Sequence, residues 1–275
     1  MQIDLLVSVV IPYYKHFKYI EHTIESVFSQ TYKNIELIVV DDGSNDGEND
    51  ILQTLNKRFP FKLYRKDNGG VSSALNYGIK RSKGEFIAII GSDDIMLPER
   101  IAKQVSVLLA KKNLYGCGTY VERIDERGRF INRINPRLPA SLDFDYFYSN
   151  KFYFPAPAAM YRYTALKSVD FFSENEVIED WDLCLKLTAS GGELILIDSV
   201  TTQYRLHLST SNNYLKMYKG VINVAKKYSY KSKIKYYNIF WYQLAKYVFK
   251  SIKAGQYKTA FTILSVMVFD NDRLS

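Results

Sequence analysis

FIAIIGSDDIML, residues 86–97, runs five apolar side chains (Phe86 to Ile90) straight into Gly91-Ser92-Asp93-Asp94. A short apolar run closed by a glycine reads as a buried parallel strand ending at the edge of its sheet. In an open α/β sheet that edge binds ligands, and here it carries two adjacent carboxylates. Like charges side by side call for a divalent cation, a hydroxyl-rich ligand or strong hydrogen-bond donors. The competing reading is a helix N-cap, with Ser92 or Asp93 capping a helix after Pro98. It suits an isolated SDD, and the surrounding chain argues against it.

Upstream, Leu6–Ile11 reads as a β-branched strand halted by Pro12. His16–Gln30 carries Phe17, Ile20, Ile24, Val27 and Phe28 at helical spacing, with Glu21, His22 and Glu25 on the other face. IELIVV (35–40) forms a second strand running into Asp41-Asp42-Gly43-Ser44, which completes a right-handed βαβ unit. Phe61–Tyr64 reads as a third strand, and Val71–Lys80 as a helix opened by Asn68-Gly69-Gly70. Pro98–Lys111 follows as an amphipathic helix. This alternation gives an α/β fold with a mostly parallel, helix-covered sheet. Pro12-Tyr13-Tyr14, Asp41 to Ser44 and Ser92 to Asp94 all end strands on one edge, which favours a nucleotide crevice over three separate caps. IPYYKH holds no GxGxxG and the chain no GxxxxGK[ST], so a dinucleotide-binding Rossmann domain and a P-loop NTPase are both disfavoured. The pyrophosphate then falls to a metal.

At 275 residues and 47% hydrophobic content, the chain is long enough for one large domain or a domain with an appended unit. Met1 to Asp4 lacks the basic start of a signal peptide. Thr259–Phe269, the longest apolar-rich run near the C-terminus, is well short of the roughly 20 residues that cross a bilayer. A soluble or peripheral protein is expected. Cys117 and Cys184 lie in apolar settings without metal-ligand spacing and read as core residues of a cytosolic protein. Charge is uneven: residues 214–269 hold eleven Lys and no Arg, Asp or Glu, whereas the whole chain is +8, so the remainder is −3. Fourteen aromatic residues share that stretch, which sets a boundary near residue 212.

Three segments in this order and spacing, VSVVIPYYKHFKYIEHTIESVFSQTYKNIELIVVDDGSNDG, DNGGVSSALNYGIKRSKGEFIAIIGSDDIMLP and IEDWDLCLKL, resemble the inverting family-2 glycosyltransferases of the GT-A fold. The resemblance covers about residues 5–211. It implies a catalytic domain over 1–212, with a nucleotide-sugar half at about 1–115 and an acceptor half at about 116–212, and a helical extension over 213–275. It implies that Asp41 bonds the base beside Pro12 and Tyr13, and that Asn68, Gly69 and Gly70 approach the ribose or diphosphate with Asn76 behind them. Ser92-Asp93-Asp94 resembles the DXD-type motif, with Asp93 reaching the ribose and Asp94 binding Mg²⁺ or Mn²⁺ between the phosphates. Many relatives have an aspartate where this chain has Gly91. Inversion by single displacement needs a general base, and Asp180 takes that role by resemblance to the family's ED motif, with Glu179 as runner-up. Asp182 points away once a helix has begun. The competing reading is an acidic first helical turn over Trp181–Ala189. Tyr204-Arg205-Leu206-His207 resembles a basic segment that closes over the diphosphate. Arg205 and His207 would neutralise the leaving group, and His207 would complete the metal shell.

Glu122–Asn132 reads as a hairpin around Arg127-Gly128. Together with the aromatic stretch Phe144–Pro157 it flanks the expected acceptor cleft. Tyr214–Tyr228, Ser232–Lys253 and Gln256–Phe269 read as three helices. Lysines among aromatics favour docking on the anionic inner face of a membrane, where a lipid-linked glycan acceptor resides, over a homo-oligomer interface. No nucleic-acid module is present. The implied activity is addition of one sugar from a nucleotide-sugar donor, UDP favoured, in bacterial surface polysaccharide synthesis. The alternatives are nucleotide-sugar binding or nucleotidyl transfer without glycosyl transfer. IPYYKH lacks the glycine-rich basic loop of the latter.

Overall fold

Apolar strands that are covered on both faces need no polar alternation, and three such strands with a half-buried edge strand form one half of the sheet. In the computed structural model, β1 (Val7–Tyr13), β2 (Ile35–Asp41), β3 (Lys62–Arg65) and β4 (Phe86–Ile89) run parallel in the order β3-β2-β1-β4. The structure describes residues 5–44, 49–134, 136, 142–149, 152–206 and 213–270. Val7, Val9, Ile11, Leu37 and Val39 pack with buried residues of α1 (Ile20–Phe28), α2 (Asn49–Arg58) and α4 (Arg100–Ala110). Ile38 and Val40, one residue out of phase, pack with Ala74 of α3 (Val71–Ile79). That helix approaches closely at Gly78, where an added Cβ would lie 2.7 Å from Val10 Cγ1.

Three expectations need correction here. Pro12 does not halt β1: register with β2 continues to Tyr13–Asp41, while the β4 ladder ends at Val10–Ile89. Pro12 therefore lies where one flank of the strand has no partner. Helix α1 begins at Ile20 rather than His16, leaving Phe17 exposed. Finally, α2 fills the β2–β3 connection, where no helix is expected from the sequence. Among its described residues Leu52 and Leu55 are buried in the core and Ile51 packs against it, too short a run to stand out as a period.

Beyond β4 the sheet is mixed. β8 (Met160–Arg162) is antiparallel to β4 and to β6 (Leu114–Ile124), β6 is parallel to β9 (Glu193–Arg205), and β5 (Ile95–Met96) closes the order antiparallel to β9. The chain thus leaves β4, makes the Ser92–Asp94 turn and rejoins the sheet beside a different strand. β7 (Phe130–Arg133) pairs with β6 as the expected hairpin. Its turn rests on Gly128 at φ +80° and on Asp125 Oδ1, which accepts from the Arg127 and Arg129 amides.

The compact units divide the chain differently from the boundary near 212. One comprises the described residues of Met1–Asp143, Tyr153–Glu174 and Lys186–His207, the other those of Phe144–Phe152, Asn175–Leu185 and Leu208–Ser275. The second unit holds α5 (Phe144–Tyr148), the first half of α7 (Glu179–Ala189), α8 (Tyr214–Tyr228), α9 (Tyr236–Lys253) and α10 (Tyr257–Asp270); α6 (Tyr163–Ser168) belongs to the first. Aromatic packing draws the two earlier segments to the C-terminal helices. Trp181 is fully buried and its indole donates to Phe147 O at 2.8 Å, while the Tyr148 hydroxyl donates to Ala225 O at 2.8 Å. Phe147 and Tyr148, expected near an acceptor, are core residues of this unit. Cys117 and Cys184 are both buried, as expected, and burial pushes the Cys117 thiol up to about 12.

Candidate active site

The turn after β4 is built around its glycine. An added Cβ on Gly91 would lie 2.8 Å from both Asp93 Oδ1 and Asp94 Oδ2, so the two carboxylates fold back over a position that any side chain would fill. Ser92 Oγ lies 2.8 Å from His16 Nδ1, which is also 3.8 Å from Asp93 Oδ1. Asp94 is buried, and its Oδ1 accepts the Arg205 amide at 2.9 Å. Burial first, and then the Asp93 charge, push the Asp94 carboxyl well above the usual carboxylate range against the opposing pull of the Arg205 amide, Arg100 and Arg205. Two adjacent carboxylates offer the hard oxygen donors that Mg²⁺ or Mn²⁺ takes. Two protein carboxylates suit a cation that draws its other ligands from a substrate.

The end of β2 supplies the second part. Asp41 is buried, with Oδ1 accepting the Ser44 amide at 3.0 Å and Oδ2 lying 3.7 Å from Arg65 Nε. Asp42 holds the adjoining loop. Its carboxylate accepts from Gly69 N (3.0 Å), Gly70 N (2.8 Å) and Lys66 Nζ (2.8 Å). Gly43 (φ +78°) permits that approach, since an added Cβ would lie 2.8 Å from Asn68 N. Asn68, Gly69 and Gly70 are thereby presented, exposed, at the start of α3. At the end of β1, Tyr13 is buried and its carbonyl accepts the Asp42 amide, beside half-buried Pro12.

Two residues are employed otherwise than expected. The Asn76 amide is committed to the scaffold, donating to Phe172 O and Glu174 Oε1 and accepting from Phe172 N. Arg205 is a buried strap: Nε donates to Asp93 O at 2.8 Å and Nη1 to Asp125 O and Glu126 O, with the guanidinium 4.7 Å above the Tyr19 ring. It fixes the carboxylate turn from behind. His207 lies outside the described residues.

Glu179 and Asp180 open α7 in the helical unit. Asp180 Oδ1 accepts the Trp181 amide at 2.7 Å. Burial, followed by the Asp180 charge, pushes Glu179 up to about 8, and burial also raises Asp180. Asp182 is turned elsewhere, accepting from Lys227 Nζ at 2.7 Å and the Tyr228 hydroxyl at 3.0 Å.

Asp42 reads from the sequence only as part of the strand-end cluster, and the sequence gives no sign of the parts played by His16, Lys66 and Arg100. The last is fully buried, with Nη2 donating to Ile89 O (2.8 Å) and Ala159 O (3.1 Å), and Nη1 to Pro157 O and Thr202 Oγ1. Burial pushes its guanidinium down to about 9 against the pull of Asp94. As the first residue of an amphipathic helix it reads as surface charge, and no local signal marks it otherwise.

Comparison with known proteins gives this arrangement a context. A model described as glycosyl transferase family 2 matches residues 8–170. An uncharacterized glycosyltransferase of Rickettsia bellii is 42% identical over 48% of this chain, but the match spans only 19% of the rickettsial protein. The Escherichia coli O-antigen biosynthesis glycosyltransferase WbnJ is 30% identical over 66% of this chain and 71% of its own. Among solved structures, the mannosyltransferase PcManGT from Pyrobaculum calidifontis, in complex with GDP-Man and Mn²⁺, superposes with a TM-score of 0.63 at 17% identity over 95% of this chain and 74% of its own. Staphylococcus aureus TarS 1–349 in complex with UDP gives 0.61 at 18% identity over 86% and 68%.

Proposed function

The chain belongs to glycosyl transferase family 2 and has the GT-A fold, and from that membership we propose that it moves one sugar from a nucleoside-diphosphate sugar to a hydroxyl of a glycan acceptor with inversion. The observation that carries the reading is the pair of carboxylates folded over Gly91, with Asp94 buried. Asp94 would hold Mg²⁺ or Mn²⁺ with Asp93 reaching the ribose, and the bound ion would neutralise the departing diphosphate. Asp41 receives a hydrogen bond from the base, and the Asn68–Gly70 loop lies along the ribose and diphosphate. Asp180 accepts the proton of the acceptor hydroxyl as its oxygen bonds the anomeric carbon and the bond to the diphosphate breaks. Arg205 serves by positioning the Asp93–Asp94 turn.

UDP is the favoured nucleotide, the one held by the S. aureus neighbour, whereas the archaeal neighbour holds GDP-Man. WbnJ's role in O-antigen biosynthesis supports a place in bacterial surface polysaccharide synthesis. A lipid-linked glycan is the acceptor class that suits a chain whose basic excess lies entirely in 214–269. No helix among the described residues is long and apolar enough to cross a membrane. Action in the cytoplasm at the membrane's inner face is the corresponding location.

Thermal unfolding of wild type and Asp94→Ala with UDP-, GDP- and dTDP-sugars, with and without Mn²⁺ or Mg²⁺, tests the site. One nucleotide class should raise the melting temperature of wild type only, and only with metal. Protection indifferent to metal and to Asp94 overturns the assignment. Asp180→Asn should keep that protection while transfer falls about 10²- to 10⁴-fold.

A further inference from the structure

Helix α9 is apolar on two faces and only one of them is packed. Ile239, Phe240, Leu244 and Tyr247 are buried. On the opposite side Tyr237, Trp241, Phe249 and Ile252 are exposed, Phe249 by 67%. Those four positions fall within about 120° of the helix circumference at 100° per residue, so they make one face rather than scattered contacts. Helix α10, which packs on α9, repeats the arrangement: Ala260 and Ile263 are buried, while Phe261 (73%) and Leu264 are exposed. Lys246, Lys250 and Lys253 line one border of the α9 face, and 214–269 contains no acidic residue.

We propose that the exposed faces of α9 and α10 lie in the headgroup region of an anionic bilayer, with the aromatic and aliphatic side chains inserted and the lysines reaching phosphates. Charge decides between occupants. A two-fold contact with a second copy sets a patch against itself, and would press three lysines against three with no carboxylate from 214–269 to receive them. Nucleic acid is disfavoured because the stretch has no arginine, the side chain that grips phosphates bidentately. A membrane interface rewards both halves of the pattern: buried apolar area on one side, lysine attraction to anionic lipid on the other. The surface stands apart from donor chemistry, and its test reads no sugar transfer.

The experiment is flotation of the full chain with vesicles of phosphatidylcholine alone, or with about 30% phosphatidylglycerol, alongside tryptophan emission. Of the two tryptophans Trp181 is buried and Trp241 is half exposed, so a blue shift on binding reports Trp241. The expected result is flotation that needs the anionic lipid, with a blue shift that Trp241→Phe abolishes. Lys246→Gln, Lys250→Gln and Lys253→Gln together should lower partitioning at least about tenfold. Phe249→Ser with Phe261→Ser should do likewise without changing the melting temperature, because both side chains are exposed. Should the serine variant fail to fold, the glutamine variant and the emission shift still decide. Binding indifferent to lipid charge, binding without the shift, or no binding at low salt overturns the proposal. So does a dimer in solution that the serine variant dissolves, or capture of a single-stranded oligonucleotide in preference to vesicles.

Discussion

Gly91 is where the site is most sensitive to a single atom. Asp94 cannot swing aside to admit a Cβ, because it is buried with its Oδ1 held by the Arg205 amide and its carbonyl held by Thr23 Oγ1 at 2.8 Å. Gly91→Ala is therefore expected to cost about 1–3 kcal/mol in stability through overpacking, and to abolish metal-dependent protection by donor. Denaturant melts with and without nucleotide sugar measure both; an unchanged donor response would show that the carboxylates need not close over the glycine. The same residue marks a limit of sequence reading. The two aspartates read as a candidate ligand site because adjacent like charges at a strand end repel each other. What the glycine at 91 does becomes clear only from the direction the carboxylates take. Arg205 shows the converse: a basic residue near the site reads as a phosphate ligand, yet three backbone carbonyls claim its guanidinium.

Among the elements, the sheet's other end is clasped by a network that spacing does not reveal. Glu36, near the start of β2, accepts from Ser8 Oγ of β1, from Lys62 Nζ of β3 at 2.6 Å and from Lys83 N before β4, while Ser8 Oγ accepts from Gly84 N. Burial alone would raise the Glu36 carboxyl, but the hydrogen bonds from Lys62, Ser8 and Lys83, with the Lys62 charge, hold it below its usual value. A depressed folded pKa contributes stability that is complete above the unfolded value near 4.5 and is lost as pH falls through the lower folded one. Glu36→Ala should cost about 1–3 kcal/mol at neutral pH and flatten the loss of stability as pH falls below about 5; urea melts from neutral pH downward measure it, and an unaltered acid limb would assign the loss elsewhere. The strands themselves were readable, since apolar runs over 7–11, 35–40 and 86–90 have one stable arrangement under two helical layers. Their partners beyond β4 were not. The mixed order β4-β8-β6-β9-β5 depends on contacts far apart in the chain, and β5 is two residues long.

At the scale of the whole molecule, α7 belongs to both units, and that has a measurable effect. Its first half is anchored in the helical unit by Trp181, whose indole bonds Phe147 O, and by buried Leu183 and Leu185. Its second half is anchored in the sheet unit by buried Leu187 and by Lys186 Nζ, which donates to Phe171 O at 2.6 Å. A helix of eleven residues has little stability on its own, because nucleation is costly and each half relies on tertiary packing. Loss of either anchor should unwind the other, which joins the two units in one unfolding transition. Both tryptophans, Trp181 and Trp241, lie in the helical unit, so tryptophan emission reports that unit alone. With donor and cation bound at Asp41 and Asp93–Asp94 in the sheet unit, ligand at about 100 times its Kd adds about 2.7 kcal/mol to the native state. The prediction is that the urea midpoint followed by tryptophan emission rises in step with the far-UV circular dichroism midpoint. A tryptophan transition that ignores the donor while the dichroism transition shifts would show that α7 does not couple the units.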